Sequence, residues 1–266
     1  MKLLIMADIH GNQEALRAVL SDVANRWEIG ACALLGDLID YGMYSNEVIS
    51  MIRRFPYPPV CNLWGNHEAA IVNLEYEKFP ERFAENFQER FSERFAEKFA
   101  ERFSWDRGRA SAEYTRSILS EESWEYVMQE MCGSGESRFE IGGRRYLALH
   151  GSLEDLYWQS ISPEMNPTAY GEYEVVLSGH SHQPHFFEKY IAVDNPRMRN
   201  RKKIIFINPG SVGQPRNQNA MAQYAVFDTD TEEVNLCKVL YDIELEQSAY
   251  HGQVDDFYKE RLGLGI

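Results

Sequence analysis

The 266-residue chain has no long apolar run, no paired cysteines and no surplus of basic residues, and each absence narrows what it can do. No stretch approaches the roughly 20 apolar residues of a membrane-spanning helix. The opening run Leu3 to Ala7 meets a charge at Asp8 and is too short for a secretion signal, so the cytoplasm is the expected location. Cys32, Cys61, Cys132 and Cys237 form no C-x-x-C pair, which argues against a structural zinc site built on thiolates. Cys32 and Cys61 lie in apolar runs and read as buried packing residues. With 41 acidic against 27 basic residues, the formal charge is −14. That balance speaks against a dedicated binder of long nucleic acid. It leaves a phosphate substrate open, because bound divalent cations can dominate the local field. Glycine-rich phosphate loops of the G-x-x-x-x-G-K-[ST] or G-x-G-x-x-G kind are also missing, which removes support for nucleotide-driven or dinucleotide chemistry.

What the chain does have is a series of short apolar runs, each ending in a chemically capable residue. Leu3 to Ala7 ends at Asp8, Ala31 to Leu35 at Gly36-Asp37, and Val60 to Trp64 at Gly65-Asn66-His67. Tyr146 to Leu149 ends at His150, Val175 to Leu177 at Ser178-Gly179-His180-Ser181-His182, and Ile204 to Ile207 at Asn208-Pro209-Gly210-Ser211. Runs of this length bounded by glycine read as buried strands. Asn12 to Trp27 and Ser45 to Phe55 carry apolar residues at helical spacing, so the alternation implies an α/β architecture. In such sheets, chemistry gathers beyond the strand C-terminal ends. The part after about Arg138 is richer in strands and reads as a second sheet packed on the first.

One segment breaks this pattern. Phenylalanine recurs every fourth residue from Phe79 to Phe103, with glutamate in step from Glu81 to Glu101. The composition favours a helix. A period of four drifts about 40° per unit, so the aromatic stripe winds around the axis and cannot all lie on one flat surface. The expected structure is an inserted surface helix laid partly on the domain; its sharper reading is a lid or self-association helix, which would make a homo-oligomer through residues 79–103.

Asp8 and His10 flank one residue, as do His180 and His182, and on an extended backbone each pair would project the same way. Mixed carboxylate and imidazole donors suit divalent Mn, Fe, Zn, Co or Ni. Five of the seven histidines (His10, His67, His150, His180 and His182) sit at these strand ends. A purely structural account must explain each of them separately.

The order Asp8-x-His10, Gly36-Asp37, Gly65-Asn66-His67-Glu68, His150, Gly179-His180-Ser181-His182 resembles the calcineurin-like metallophosphoesterase superfamily. It is closest in pattern to the compact prokaryotic phosphodiesterases, whose Asn-Pro-Gly-Ser turn is matched by Asn208 to Ser211. The resemblance covers nearly the whole chain except the Phe repeat. It implies a four-layer sandwich of two packed mixed β-sheets flanked by helices. Residues 1–245 would form the domain, with the helical insertion at about 77–104, and 246–266 a C-terminal extension packing on it.

The same resemblance implies two divalent metal ions, manganese first among them. Asp8, His10 and His182 would hold one, Asn66, His150 and His180 the other, and Asp37 would bridge them. A bridging hydroxide would then attack a phosphodiester or phosphomonoester in line, with His67 as general acid or as a hydrogen-bond donor to phosphate. Asn12 and Arg216 are the expected substrate contacts, although helix capping competes for Asn12 and a surface role for Arg216. Asp40 and Glu68 are expected to orient metal-bound imidazoles, and Asn208 to position substrate or a ligand loop. His185 and His251 are assigned nothing. A protein phosphatase within the same chemistry and a non-catalytic interaction module on the same fold are the competing functions.

Overall fold

In the computed structural model, which describes residues 1–83 and 106–266, alternation along the strands decides the layering. In β1 (Lys2–Met6), Leu3 and Ile5 face one side while Leu4 and Met6 face the other, and all four are fully buried. A strand buried on both faces needs a layer on each side. Leu4 and Met6 join a core with Leu16, Val19, Val48 and Ile49 of the helices α1 (Gln13–Arg26) and α2 (Ser45–Arg53). Leu3 and Ile5 join Tyr146, Ala148, Ile205 and Ile207 of the second sheet. At about 1.5–3 kcal/mol for each large apolar side chain buried, these two faces hold the first sheet between its neighbours.

The remaining strands are β2 (Ile29–Leu34), β3 (Pro59–Asn62), β4 (Glu136–Ile141), β5 (Arg144–Leu149), β6 (Val175–Leu177), β7 (His185–Ala192), β8 (Arg201–Asn208), β9 (Ala222–Asp228) and β10 (Val234–Val239). They form two five-stranded sheets in the orders β10-β9-β1-β2-β3 and β4-β5-β6-β8-β7. Each is mixed. β1, β2 and β3 run parallel, as do β5, β6 and β8, while β4, β7, β9 and β10 pair antiparallel with their neighbours. These six parallel strands are the six apolar runs whose ends carry Asp, Asn and His. Shared direction brings those ends to one edge of the sandwich. The two mixed sheets and their flanking helices match the expected fold.

Among the described residues the other α-helices are α3 (Asn66–Lys78), α4 (Asp106–Ile118), α5 (Glu121–Glu125), α6 (Ile243–Gln247) and α7 (Asp256–Leu264). The outer face of the second sheet is covered by the segment after β5, where Ile161, Tyr170 and Tyr173 pack on Leu147, Val176 and Phe206. α3 ends at Lys78 and a 3-10 turn follows at Pro80–Arg82. Most of the Phe repeat, and with it the expected insertion helix and its association face, lies outside the described residues. Among the described residues, no helix is long and apolar enough to cross a membrane. Near the C-terminus, Tyr250, Val254, Tyr258 and Leu262 cluster with Met43.

Candidate metal centre

The turns that follow the parallel strands are conformationally costly. Asp8, His10, Asp37, His180 and His182 all have φ between 49° and 63°, the left-handed region that L-residues enter at a cost of about 1–2 kcal/mol each. This corrects the expected period-two geometry. β1 ends at Met6, and Asp8 and His10 converge through left-handed turns instead of strand alternation. Main-chain bonds hold the turns: Asp8 N–H donates to Gly36 O at 3.0 Å and His10 N–H to Asp37 O at 2.9 Å. Close approach also demands glycine at position 65, where a Cβ would overlap the Asp37 carboxylate.

The Asn-Pro-Gly-Ser turn after β8 is part of the same scaffold. Ser211 Oγ donates to the Asp8 carbonyl at 2.6 Å. Asn208 Nδ2 donates to Gly179 O at 2.7 Å, so Asn208 holds the loop that carries His180 and His182. Glu68 differs from its expected role. Its carboxylate accepts from the N–H groups of Gly65, Asp37, Leu38 and Ile39 at 2.7–3.2 Å, fixing the Asp37 loop rather than an imidazole.

These contacts bring the seven expected donors together. Ligand atoms of Asp8, His10, Asp37 and His182 lie within 4.8 Å of one another, as do those of Asp37, His150 and His180. Asp37 belongs to both groups. Asn66, in the first turn of α3, completes the second, with its Oδ1 3.0 Å from His150 Nε2 and 3.0 Å from His180 Nδ1.

Hydrogen bonding on the far side of two rings fixes where their lone pairs point. His150 Nδ1 donates to Leu35 O at 2.7 Å and His182 Nδ1 to Gln214 O at 2.6 Å. In neutral imidazoles this leaves both Nε2 atoms as acceptors aimed into the centre. His150 Nε2 faces Asp37 Oδ2 at 3.3 Å, and His182 Nε2 faces Asp8 Oδ1 at 3.3 Å and His10 Nε2 at 3.3 Å. Asp8 Oδ1 is buried without a hydrogen-bond partner. Acceptors facing acceptors in a buried site are satisfied by positive charge between them, a proton on an imidazole or a metal ion held by the group. The donor set therefore fits divalent metal.

Electrostatics describe the same need. Burial pushes the Asp8 carboxyl up to about 7, against the pull of His150. Burial would also raise Asp37, but the charges on His150 and His67 overcome it and hold this carboxyl well below its usual range. Burial lowers His10 and His182 well below the ordinary imidazole value, and His180 to about 3 with His150 as the next cause. His150 alone of these imidazoles is pushed up, to about 9: burial opposes this, but Asp37 and Asp8 prevail.

His67 sits beside this cluster, its ring 4.8 Å from that of His10. Its Nδ1 lies 2.6 Å from Asp40 Oδ2. Asp40 thus orients His67, not a metal-bound imidazole as expected. Ser111 Oγ and Thr115 Oγ1 of α4 donate to Asp40 Oδ1 at 2.6 and 3.0 Å. Burial lowers His67, yet the carboxylates of Asp37 and Asp40 give a net upward shift.

The two expected substrate contacts part ways. Asn12 caps α1, its Oδ1 accepting from Ala15 N–H at 2.9 Å, while its Nδ2 donates to Gly213 O at 2.9 Å. Its side chain is thus spent inside the protein, and the phosphate-facing role is withdrawn. Arg216 is half-buried, with Nε lacking a partner, and its charge acts on Asp8, His10, His180 and His182. His185 stacks on Phe187 in β7 and His251 is exposed, so neither joins the centre. Sequence reasoning missed Tyr41, whose ring lies 4.6 Å from His10 and 4.3 Å from His67. It also missed Ser111 and Thr115; their i, i+4 spacing marks one helix face but not the aspartate they reach.

Comparison with known proteins places the fold and the donors in a family. An uncharacterized protein of Methanocaldococcus jannaschii is 25% identical over 98% of this chain and 97% of its own length. The crystal structure of a metallophosphoesterase from Sphaerobacter thermophilus superposes with a TM-score of 0.68 at 23% identity, covering 100% of this chain and 99% of that one. A hypothetical protein from Pyrococcus horikoshii gives 0.73 at 21% identity, covering 100% and 98%. The model of the calcineurin-like phosphoesterase superfamily domain matches residues 1–232, a span that contains every strand but β10 and every donor of the centre, and the chain belongs to that superfamily.

Proposed function

We propose that this protein is a phosphoesterase that depends on two divalent cations, manganese first among them, and hydrolyses a phosphodiester or phosphomonoester. The observation that carries the reading is His150. Its Nδ1 is committed to the Leu35 carbonyl, so its Nε2 faces the oxygens of Asp37 and Asn66 at 3.3 and 3.0 Å, an arrangement a bound cation satisfies. Asp8, His10 and His182 would hold one ion, Asn66, His150 and His180 the other, with Asp37 shared. When bound, such ions offset charge on the phosphoryl oxygens and acidify water enough to give a nucleophile near neutral pH.

The chain's own groups supply the rest. Asp40 accepts from His67 Nδ1 and orients the ring for proton donation to the leaving oxygen. The two serine and threonine hydroxyls on Asp40 keep that carboxylate from turning away. The upward shift that the Asp37 and Asp40 carboxylates give His67 favours its proton-donating form. Arg216 adds a fixed positive charge at the cleft for an anionic substrate.

Turnover of bis-p-nitrophenyl phosphate and p-nitrophenyl phosphate with Mn, Ni and Co tests the activity. Turnover of at least one is expected with metal and none after chelation. No turnover of either across the three ions would favour a non-catalytic module. His67→Ala is expected to lose about 10²–10⁴-fold, most for poor leaving groups. An equal loss across leaving groups of different pKa would remove the acid role.

A further inference from the structure

The segment beyond residue 240 reaches the metal cleft through one face of α7. Tyr258 and Arg261 are three residues apart and share that face. Tyr258 stacks on Tyr41 with ring centroids 4.3 Å apart, and Tyr41 in turn contacts His10 and His67. Arg261 is only 8% exposed. Its guanidinium lies 4.8 Å from the Phe257 ring centre, and Nε donates to the main-chain oxygen of Ile266 at 2.5 Å. From the other side of Tyr41's surroundings comes Arg216, whose main-chain N–H donates to His182 O at 3.2 Å. Its Nε has no partner, and its Nη2 reaches only Gln214 Oε1, at 3.5 Å.

Among the described residues, neither arginine has a side-chain carboxylate at ion-pair distance. Arg116 and Arg144, both more exposed than Arg261, pair with Glu75 and Glu232 at 3.0 and 2.9 Å. In a chain of net charge −14, leaving the buried Arg261 and the half-buried Arg216 without side-chain carboxylates is costly. The two cations also repel. Burial and Arg216 push Arg261 down to about 10. The main-chain bond from Gln218 N–H to Gly265 O at 2.8 Å joins the segments that carry the two arginines, and paired guanidiniums match the oxygens of a phosphate.

We propose that Arg261 and Arg216 form an anion subsite beside the metal centre that takes a second phosphate next to the scissile one. The substrate class is a phosphate ester carrying an adjoining phosphate group, as in a bisphosphate or a phosphoanhydride-linked ester. This rests on the phosphoesterase reading for the first phosphate. A simple diester has one anionic centre and leaves the subsite empty.

Titration calorimetry of manganese-loaded protein with methylphosphonate and methylenediphosphonate tests it without turnover. Wild type is expected to bind the diphosphonate at least about tenfold more tightly than the monophosphonate. Arg261→Gln should erase most of that ratio while leaving the monophosphonate affinity within about twofold, and Arg261→Lys should fall between them. Chelation by free diphosphonate is the same for every variant, so the difference between variants reports the subsite. An unchanged ratio, or equal weakening of both ligands, would overturn the proposal. Should Arg261→Gln fail to fold, a ratio in Arg261→Lys equal to wild type would overturn it as well. An Arg261-dependent ratio in a protein that hydrolyses no ester would retire the esterase reading and leave the subsite standing.

Discussion

The metal cleft gathers seven polar donors from the ends of five strands, whereas the C-terminal segment reaches the same cleft with the apolar and aromatic side chains of Tyr250, Val254, Tyr258 and Leu262. The cleft is held by directional contacts: left-handed turns, the Ser211 and Asn208 bonds, and the Glu68 cradle. The wall is held by buried area and ring stacking, which tolerate sequence change as long as volume is kept. The family match ends at residue 232, short of this wall. The difference teaches that the reacting centre and the surface beside it answer to different physical constraints. Donors are constrained in type and position, while the wall is constrained in volume.

The largest expected effect comes from the cleft. Asp37→Asn removes the charge shared by both donor groups, and loss of several kcal/mol of stabilisation translates to about 10³-fold or more in turnover. Metal content by elemental analysis should fall with it, and an Asn variant with full metal and activity would break the comparison. An intermediate effect comes from the wall. Tyr258→Ala removes a buried aromatic and its stack on Tyr41, lowering unfolding free energy by about 3 kcal/mol. Denaturant melts read that loss, and metal content should stay unchanged. A fall in metal content would show that the two regions are not separable.

The smallest effect is a pH dependence. Glu246 is fully buried, with Oε2 accepting from Glu14 N–H at 3.1 Å and Oε1 unpartnered. Burial pushes its carboxyl up to about 8. Because the folded value lies above the unfolded one, the protonated form stabilises the fold at low pH. That contribution is lost as pH rises through about 8. Glu246→Gln should flatten the decline between pH 5 and 8 and gain about 2 kcal/mol above it. Thermal melts across that range check the sign, and a variant less stable than wild type at pH 9 would contradict it.

Much of this was legible before any coordinates. The apolar runs marked β1, β2, β3, β5, β6 and β8 because a strand buried on both faces must be apolar at every position. Asn12 and Trp27 bounded α1 because capping chemistry is local. The donor residues stood out because strand ends rarely collect Asp, Asn and His together. Asn12 misled as a phosphate contact because one residue type serves both a cap and a ligand, and only the Gly213 carbonyl decided between them. Asp40 and Glu68 were correctly placed near the centre but given the wrong partners, since an acid's target cannot be read from its position in the chain.

The sequence by itself determined the kind of donor at each strand end, the α/β alternation and the deficit of basic charge. These follow from residue type, spacing and composition, all of which are local. Tertiary structure decided the left-handed turns that aim Asp8 and His10, the bonds from Ser111 and Thr115 to Asp40, and the approach of Tyr258 and Arg261 to the cleft. Those contacts join segments 71 to 75 residues apart in the Asp40 case. The contact from Tyr258 to Tyr41 spans a still longer separation. Contacts that distant in sequence arise only when burial of the two cores sets where each segment lies.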